Sequence, residues 1–377
     1  MINKKVNQNQ VLYYMNNIKK IIVCVMAALV LLLSGCGVSD ADNASDKATE
    51  NINKSTAQKS SKAKRHKVII DTDTGSDDAA ALTLAASSEQ LDILGVTVLY
   101  GNVSLKGAAD NALMTLEVCD VEAPVYIGAE KPLTKKREEM ISVHGKDGMG
   151  DQDLIHPKKS PEDGDAVDFI LDTVKSNPNE VEIIALGPLT NIALAVKKDP
   201  ETMKLCKRIW VMGTTGFGHG NATPVSEFNV YSDAEAYDAV LKAELPMTVL
   251  GLDMVSNDEA RLNSDRLSKM SKGNKKGVYL SKAFTKLFAF YKDLGQNMML
   301  PDPMAVACLI WPDMVLETET CYGSACIGKD SAYGQIVLYR KGAVYEAMPD
   351  IGSYNLKVVT KIDPKLFMDN FMSVMTD

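Results

Sequence analysis

From residue 67 onward, short apolar runs alternate with longer segments of helical spacing. Lys67-Val-Ile-Ile-Asp71, Leu91–Leu99, Ala123–Ile127, Val181–Leu186, Arg208–Met212 and Met247–Leu252 are rich in β-branched residues and predict buried strands. Between them, Asp77–Ser87, Ser104–Cys119, Asp165–Ser176, a segment from Leu189 and Asp233–Ala243 predict helices. This alternation predicts an α/β fold, an open and mostly parallel twisted sheet flanked by helices. Residues 131–164 are polar and rich in glycine and proline, and read as a loop excursion. Residues 261–310 read as mainly helical, and 335–346 and 355–361 as late strands. No internal repeat is found. Open α/β sheets bind ligands beyond the carboxyl ends of their strands. Here the informative polar residues follow Asp71, Leu99, Leu186 and Met212.

The pattern before residue 67 is different. Lys19-Lys20 precede an apolar run, Ile21–Leu33, too short to span a bilayer comfortably and suited to the hydrophobic part of a signal peptide. Leu33-Ser34-Gly35-Cys36 then resembles a bacterial lipoprotein cleavage box, in which the cysteine is lipidated and becomes the first mature residue. An ordinary signal peptide or anchor is the alternative. The long lead before Met15-Asn-Asn-Ile-Lys-Lys also leaves Met15 as a second candidate start. Residues 37–66 have almost no large apolar side chains and predict a flexible tether. Three segments are therefore expected: signal peptide 1–36, linker 37–66 and folded domain 67–377. The domain would be exported and membrane-anchored through Cys36.

Composition narrows the functional classes. The 377 residues are 46% hydrophobic and carry a formal net charge of −8, which argues against a nucleic-acid partner. Seven scattered cysteines form no CxxC pair or Cys/His cluster, so a zinc site is not expected. They read as small buried hydrophobes, with a Cys321–Cys326 disulfide left open.

The candidate chemistry is concentrated in Asp71-Thr-Asp73-Thr-Gly-Ser-Asp77-Asp78, where four aspartates follow a strand and open a helix. Carboxylates this close repel one another unless a cation or proton compensates, and a hard cation with oxygen ligands is the simple solution. A solvated, helix-capping turn is the plain alternative. An aspartyl-phosphatase nucleophile of the haloacid dehalogenase type, with magnesium, is another. That second alternative lacks its later lysine and Gly-Asp-Gly motif.

The run Val68-Ile-Ile-Asp-Thr-Asp-Thr-Gly-Ser-Asp-Asp-Ala-Ala resembles the signature of the calcium-dependent nucleoside hydrolases. Tyr100-Gly101-Asn102, the His144-Gly-Lys-Asp-Gly-Met-Gly150 loop and Leu186-Gly-Pro-Leu-Thr-Asn191 are similar to further family motifs. So are Val211-Met212-Gly213, Gly220-Asn221, Glu227-Phe228-Asn229 and Asp302-Pro303, all in the family's order over about residues 67–360. The resemblance implies a Rossmann-like hydrolase that splits ribonucleosides into base and ribose. It implies Ca2+ held by Asp73, Asp78, Asp302 and the Leu186 carbonyl, with Asp73 also the base toward metal-bound water. It implies that Asp77, Asn102, Asn221, Glu227 and Asn229 hold ribose hydroxyls, that Met212 packs near the sugar, and that the chain is a homodimer or homotetramer. Carboxylates and amides suit hydroxyl recognition, and a negative pocket suits an oxocarbenium-like transition state. Plainer roles exist for several of these residues. Asn102 and Asn221 could be turn residues, Glu227 and Asn229 a solvated loop, Met212 core, Asp302 a helix cap, and His144 could simply order its glycine-rich loop.

Two positions depart from the family. Thr74 replaces the usual proline of the first motif, and Pro301 stands where many members carry a histidine that assists departure of the base. His219 in the Gly-Phe-Gly-His-Gly loop, Tyr291, base stacking or solvent would then have to serve. The rival function is a lipoprotein that captures nucleosides with little turnover. Base preference would lie in residues 214–226 and 256–300.

Overall fold

The computed structural model describes residues 64–136, 141–345, 351–354 and 356–377. The expected signal segment, Cys36 and most of the linker lie outside the described residues.

Nine strands form one sheet in the order β3-β2-β1-β4-β5-β6-β9-β7-β8. They are β1 (His66–Thr72), β2 (Leu91–Val98), β3 (Val125–Ile127), β4 (Val181–Ala185), β5 (Arg208–Met212), β6 (Met247–Leu250), β7 (Val315–Ala325), β8 (Ile336–Arg340) and β9 (Leu356–Ile362). β1 to β6 and β9 are parallel, whereas β7 runs antiparallel to both β8 and β9. The mostly parallel α/β sheet expected from the sequence is present.

Both faces are covered, which is why the central strands β1, β4 and β6 are buried almost throughout rather than alternating. In β1, Val68 and Ile70 point to one side, where Ser76–Ala86, Leu105–Val118, Pro301–Ile310 and Pro364–Thr376 pack. Ile69 points to the other, against Ala166–Ser176, Thr190–Lys198 and Ala234–Lys242. The helix Ser76–Ala86 is enclosed on nearly every side, consistent with its run of alanines and its apolar character all round.

The chain moves outward from β1 through β2 to β3, then crosses back to β4 and proceeds through β5 to β6. The order therefore reverses between β1 and β4, and the segments after those two strands flank a natural crevice. Asp73–Asp78 follow β1 and Leu186 follows β4.

Three features differ from the sequence expectations. β7 and the closing helix Pro364–Thr376 were not foreseen, and the 131–164 excursion contains a short helix, Ile141–His144. In β7, Glu317, Thr318 and Glu319 show little of the apolar pattern that marks a strand; pairing with β9 and β8 makes it one. Cys321 and Cys326 are both free. Extended backbone through β7 carries them roughly 16 Å apart, far beyond disulfide reach.

Candidate active site

Asp71 lies inside β1, fully buried, and Thr97 Oγ1 and Asn191 Nδ2 donate to its Oδ1 at 2.5 and 2.8 Å. It ties β1 to β2 and to the helix Thr190–Lys198, and burial pushes its pKa up to about 6. It does not line the cavity, which is not the placement of a phosphatase nucleophile.

Asp73 leaves the strand end into a space cleared by two glycines. A Cβ on Gly101 would sit 1.9 Å from Asp73 Oδ2, and one on Gly187 would sit 2.7 Å from Oδ1. The Gly-Asn and Leu-Gly-Pro motifs thus admit this carboxylate. Asn102 N donates to Asp73 Oδ2 at 2.7 Å, while Oδ1 is buried without a partner. Asp78 is held from three sides: Thr72 Oγ1 donates to Oδ1 at 2.6 Å, and Gly75 N and Asn102 Nδ2 donate to Oδ2 at 3.0 and 2.9 Å.

Asp77, Asp78 and Asp302 each bring a carboxylate oxygen to within 4.8 Å of the others, whereas Asp73 stands outside that trio. Asp77 Oδ1 is buried without a hydrogen-bond partner. Asp302 sits in the first turn of Pro301–Ile310 and makes no capping bond; Leu300 occupies the cap position. Burial raises the pKa of all four acids, and their mutual repulsion adds to it for Asp73, Asp78 and Asp302. Asp77 and Asp78 are pushed up to about 6. Buried carboxylate oxygens without donors, all of one chemical type, fit a hard cation; the residues present could hold a metal ion.

Beside this cluster is a cavity of about 360 Å³. Asp77, Asn102, Asn221, Glu227, Asn229 and Asp302 line one part of it, together with Met212 and Leu186. Asp73 and Asp78 lie behind that lining, both bonded to Asn102. Glu227 caps Phe228–Ser232, its Oε1 and Oε2 accepting from Asn229 N and Val230 N at 2.9 and 3.1 Å. It is buried rather than part of a solvated loop, and burial pushes its pKa up to about 7. Asn229 Nδ2 donates to the Leu186 carbonyl at 2.7 Å, and Asn221 Oδ1 accepts from Phe228 N at 2.9 Å. The structure therefore gathers every expected ribose contact around one cavity.

The rest of the lining is mainly apolar, with Leu252, Leu287, Phe290, Leu294 and Met299, and includes Tyr291 and Pro301. His219 is exposed and does not line the cavity. His144, which the sequence left as a loop-ordering residue, does line it, with Nδ1 3.0 Å from Ser76 Oγ and 3.7 Å from Asp77 Oδ1. Burial lowers its pKa to about 4, so it is neutral at pH 7. Gln296 was also missed; nothing in its local sequence distinguishes it.

An acidic cluster at the switch point of this sheet, beside a cavity lined by polar and apolar side chains, is a small-molecule site, and the chain's relatives give its class. The chain belongs to the inosine-uridine preferring nucleoside hydrolase family, whose model matches residues 68–369, and it is an enzyme of that kind. It is 35% identical to uridine nucleosidase 1 of Arabidopsis thaliana over 75% of this chain and 86% of the relative. It is 34% identical to the non-specific ribonucleoside hydrolase RihC of Escherichia coli over 66% of this chain and 80% of the relative. Among solved structures, a purine-preferring ribonucleoside hydrolase from Gardnerella vaginalis superposes with a TM-score of 0.74 at 28% identity, covering 82% of this chain and 98% of its own.

Proposed function

We propose that the enzyme hydrolyses the N-glycosidic bond of ribonucleosides with calcium as its cofactor, and that Asp73 is the base. The observation that carries this reading is the cluster of buried carboxylates, two of them with a donor-free oxygen, beside the cavity. Asp73, Asp78, Asp302 and the Leu186 carbonyl would hold the ion, and Asp77 is close enough to Asp78 and Asp302 to join them. When bound, calcium supplies charge neutralisation and lowers the pKa of nearby water.

The chain's own residues do the rest. Asp77, Asn102, Asn221, Glu227 and Asn229 fix the ribose, and Met212 packs beneath it. Asp73 Oδ1 takes a proton from the attacking water as the new C1′–O bond forms. The C1′–N bond breaks, its electron pair passes to the base, and the surrounding carboxylates stabilise the cationic sugar that develops. Pro301 has no proton to give the departing base. Tyr291 fills that role better than His219. It lines the cavity, and burial first, then the Asp77 charge, keep it a phenol.

We further propose that Cys36 is lipidated, that residues 1–36 are a signal peptide and the following polar segment a tether, and that the domain works outside the cytoplasmic membrane as a homo-oligomer. The central test incubates the purified domain with inosine, uridine, cytidine and adenosine, with and without calcium chelation. Release of free base and ribose, abolished by chelation and restored by calcium, is expected. Stoichiometric nucleoside binding without product would replace the hydrolase by a capture protein.

A further inference from the structure

Between positions 252 and 301 the chain contributes a mostly apolar lining to the cavity. Apart from Tyr291, Gln296 is the residue between positions 252 and 301 that brings a polar side chain to it. Its position is fixed by the chain around it. The helix Thr285–Asp293 ends on Gly295 in the left-handed region (φ +69°), with Gln296 N bonded to Tyr291 O and Gly295 N to Lys292 O, both at 2.9 Å. This is a Schellman closure, and the left-handed residue is the glycine it requires. One step further, Met298 and Leu262 exchange backbone hydrogen bonds of 3.0 and 2.9 Å. That bridge sets Arg261 next to Gln296, and Arg261 Nη1 donates to Gln296 Oε1 at 3.4 Å. Arg261 is itself anchored, its Nε donating to Val255 O at 3.2 Å and its guanidinium lying 3.6 Å from Asp258.

The consequence is chemical. An arginine side chain only donates, so the amide oxygen of Gln296 must face it, and the Nε2 hydrogens are left for the cavity. Gln296 is exposed, at the rim, whereas most of the ribose contacts are buried. With ribose at the floor, the rim meets the edge of the base farthest from the glycosidic bond. That edge carries position 4 of a pyrimidine or position 6 of a purine. A donor there pairs with a carbonyl oxygen and opposes an exocyclic amino group.

Resting on the proposed ribohydrolase reading, we infer that Gln296, oriented by Arg261, selects nucleosides whose bases carry a keto group at this distal position. Gln296 is the specificity-determining contact, and Arg261 is a positioning residue that acts through it.

The test compares kcat/KM for uridine against cytidine and for inosine against adenosine. Calcium-loaded wild type, Gln296→Met, Gln296→Glu and Arg261→Met would be measured in parallel. Wild type is expected to favour the keto member of each pair. Gln296→Met keeps the length but loses the donor, and should shrink both ratios about five- to tenfold, the worth of one neutral hydrogen bond. Gln296→Glu offers only acceptors and should shift both ratios toward the amino bases. Arg261→Met frees the amide to turn over and should flatten both ratios, with a smaller change in the mean kcat/KM over the four substrates. Turnover with both ratios unmoved in Gln296→Met and Gln296→Glu would overturn this inference alone. So would a shift of Gln296→Glu further toward keto bases. Absence of product from all four nucleosides in wild type would overturn the ribohydrolase reading and this inference with it.

Discussion

Two ends of the same sheet treat buried acids in opposite ways. At the carboxyl ends of β1 and β4, Asp73, Asp77, Asp78 and Asp302 crowd together, and Asp73 and Asp77 each keep a buried oxygen with no donor. At the amino ends of these strands, Glu182 is almost as buried but accepts from His66 Nδ1, Lys207 Nζ and Trp210 Nε1, each at 2.7 Å. Burial raises the pKa at both ends. At Glu182 the bonds from Lys207, Trp210 and His66 outweigh it and hold the carboxyl below its usual range. At the other end nothing outweighs it. Within one fold, the chain thus satisfies the acid that needs only to be stable and leaves open those that could hold a metal ion.

The largest effect that would break this contrast is chemical. Asp73→Asn keeps the shape and removes the base, and kcat should fall about 10²–10⁴-fold. Circular dichroism should show the fold retained. Glu182→Gln, at the opposite end, should leave kcat near wild type. Equal losses in the two variants would mean that the ends do not differ in kind.

Stability should separate them next. Glu182→Leu strands its buried donors and should cost about 1–3 kcal/mol in urea unfolding. Asp77→Asn in metal-free protein removes a repelling charge and should stabilise it, a reversal that would sharpen the comparison. The pH dependence carries opposite signs as well. Glu182 has a lowered folded pKa, so its contribution is present above the ordinary glutamate range and is lost as pH falls through the lower folded value. Asp77 and Asp78, raised to about 6, bind protons more readily folded than unfolded. Their penalty is therefore full above about pH 6 and is relieved as pH falls toward 4. Metal-free protein should melt at a higher temperature at pH 5.5 than at pH 7.5, and calcium should stabilise it far more at pH 7.5. A melting temperature that rises with pH in chelator would contradict this.

Much of this organisation was legible because it is local. β1, its aspartates and the helix that follows occupy one short run, and their order fixes which end of the sheet they share. The proposed ribose contacts, scattered from Asp77 to Asn229, were found through family motifs, and only folding shows them around one cavity. Glu182 was not legible, because its three donors come from His66, Lys207 and Trp210 on neighbouring strands and a strand entrance, and no spacing encodes their meeting. β7 escaped for a related reason: Glu317–Glu319 became strand through pairing with β9, a tertiary decision.

The smallest predicted effect concerns the departing base, where sequence proximity misleads. His219 sits in a glycine-rich loop two residues before Asn221, and a histidine near a proposed ribose contact is a natural proton donor. Yet its side chain is exposed and does not line the cavity, whereas Tyr291, 72 residues further along the chain, does. His219→Ala should therefore change kcat/KM by less than about twofold, as expected for a surface substitution away from any special feature. Tyr291→Phe removes only the phenolic hydrogen and should lower kcat more than KM changes, because its partner is the base as it leaves. The discriminating substrate is one whose departing group needs no proton, such as p-nitrophenyl riboside. If Tyr291 donates to the base, the Phe variant should cleave that riboside at nearly the wild-type rate while remaining slow on uridine. A loss on both substrates would reduce Tyr291 to a packing residue, and a loss in His219→Ala confined to uridine would return the role to the exposed loop.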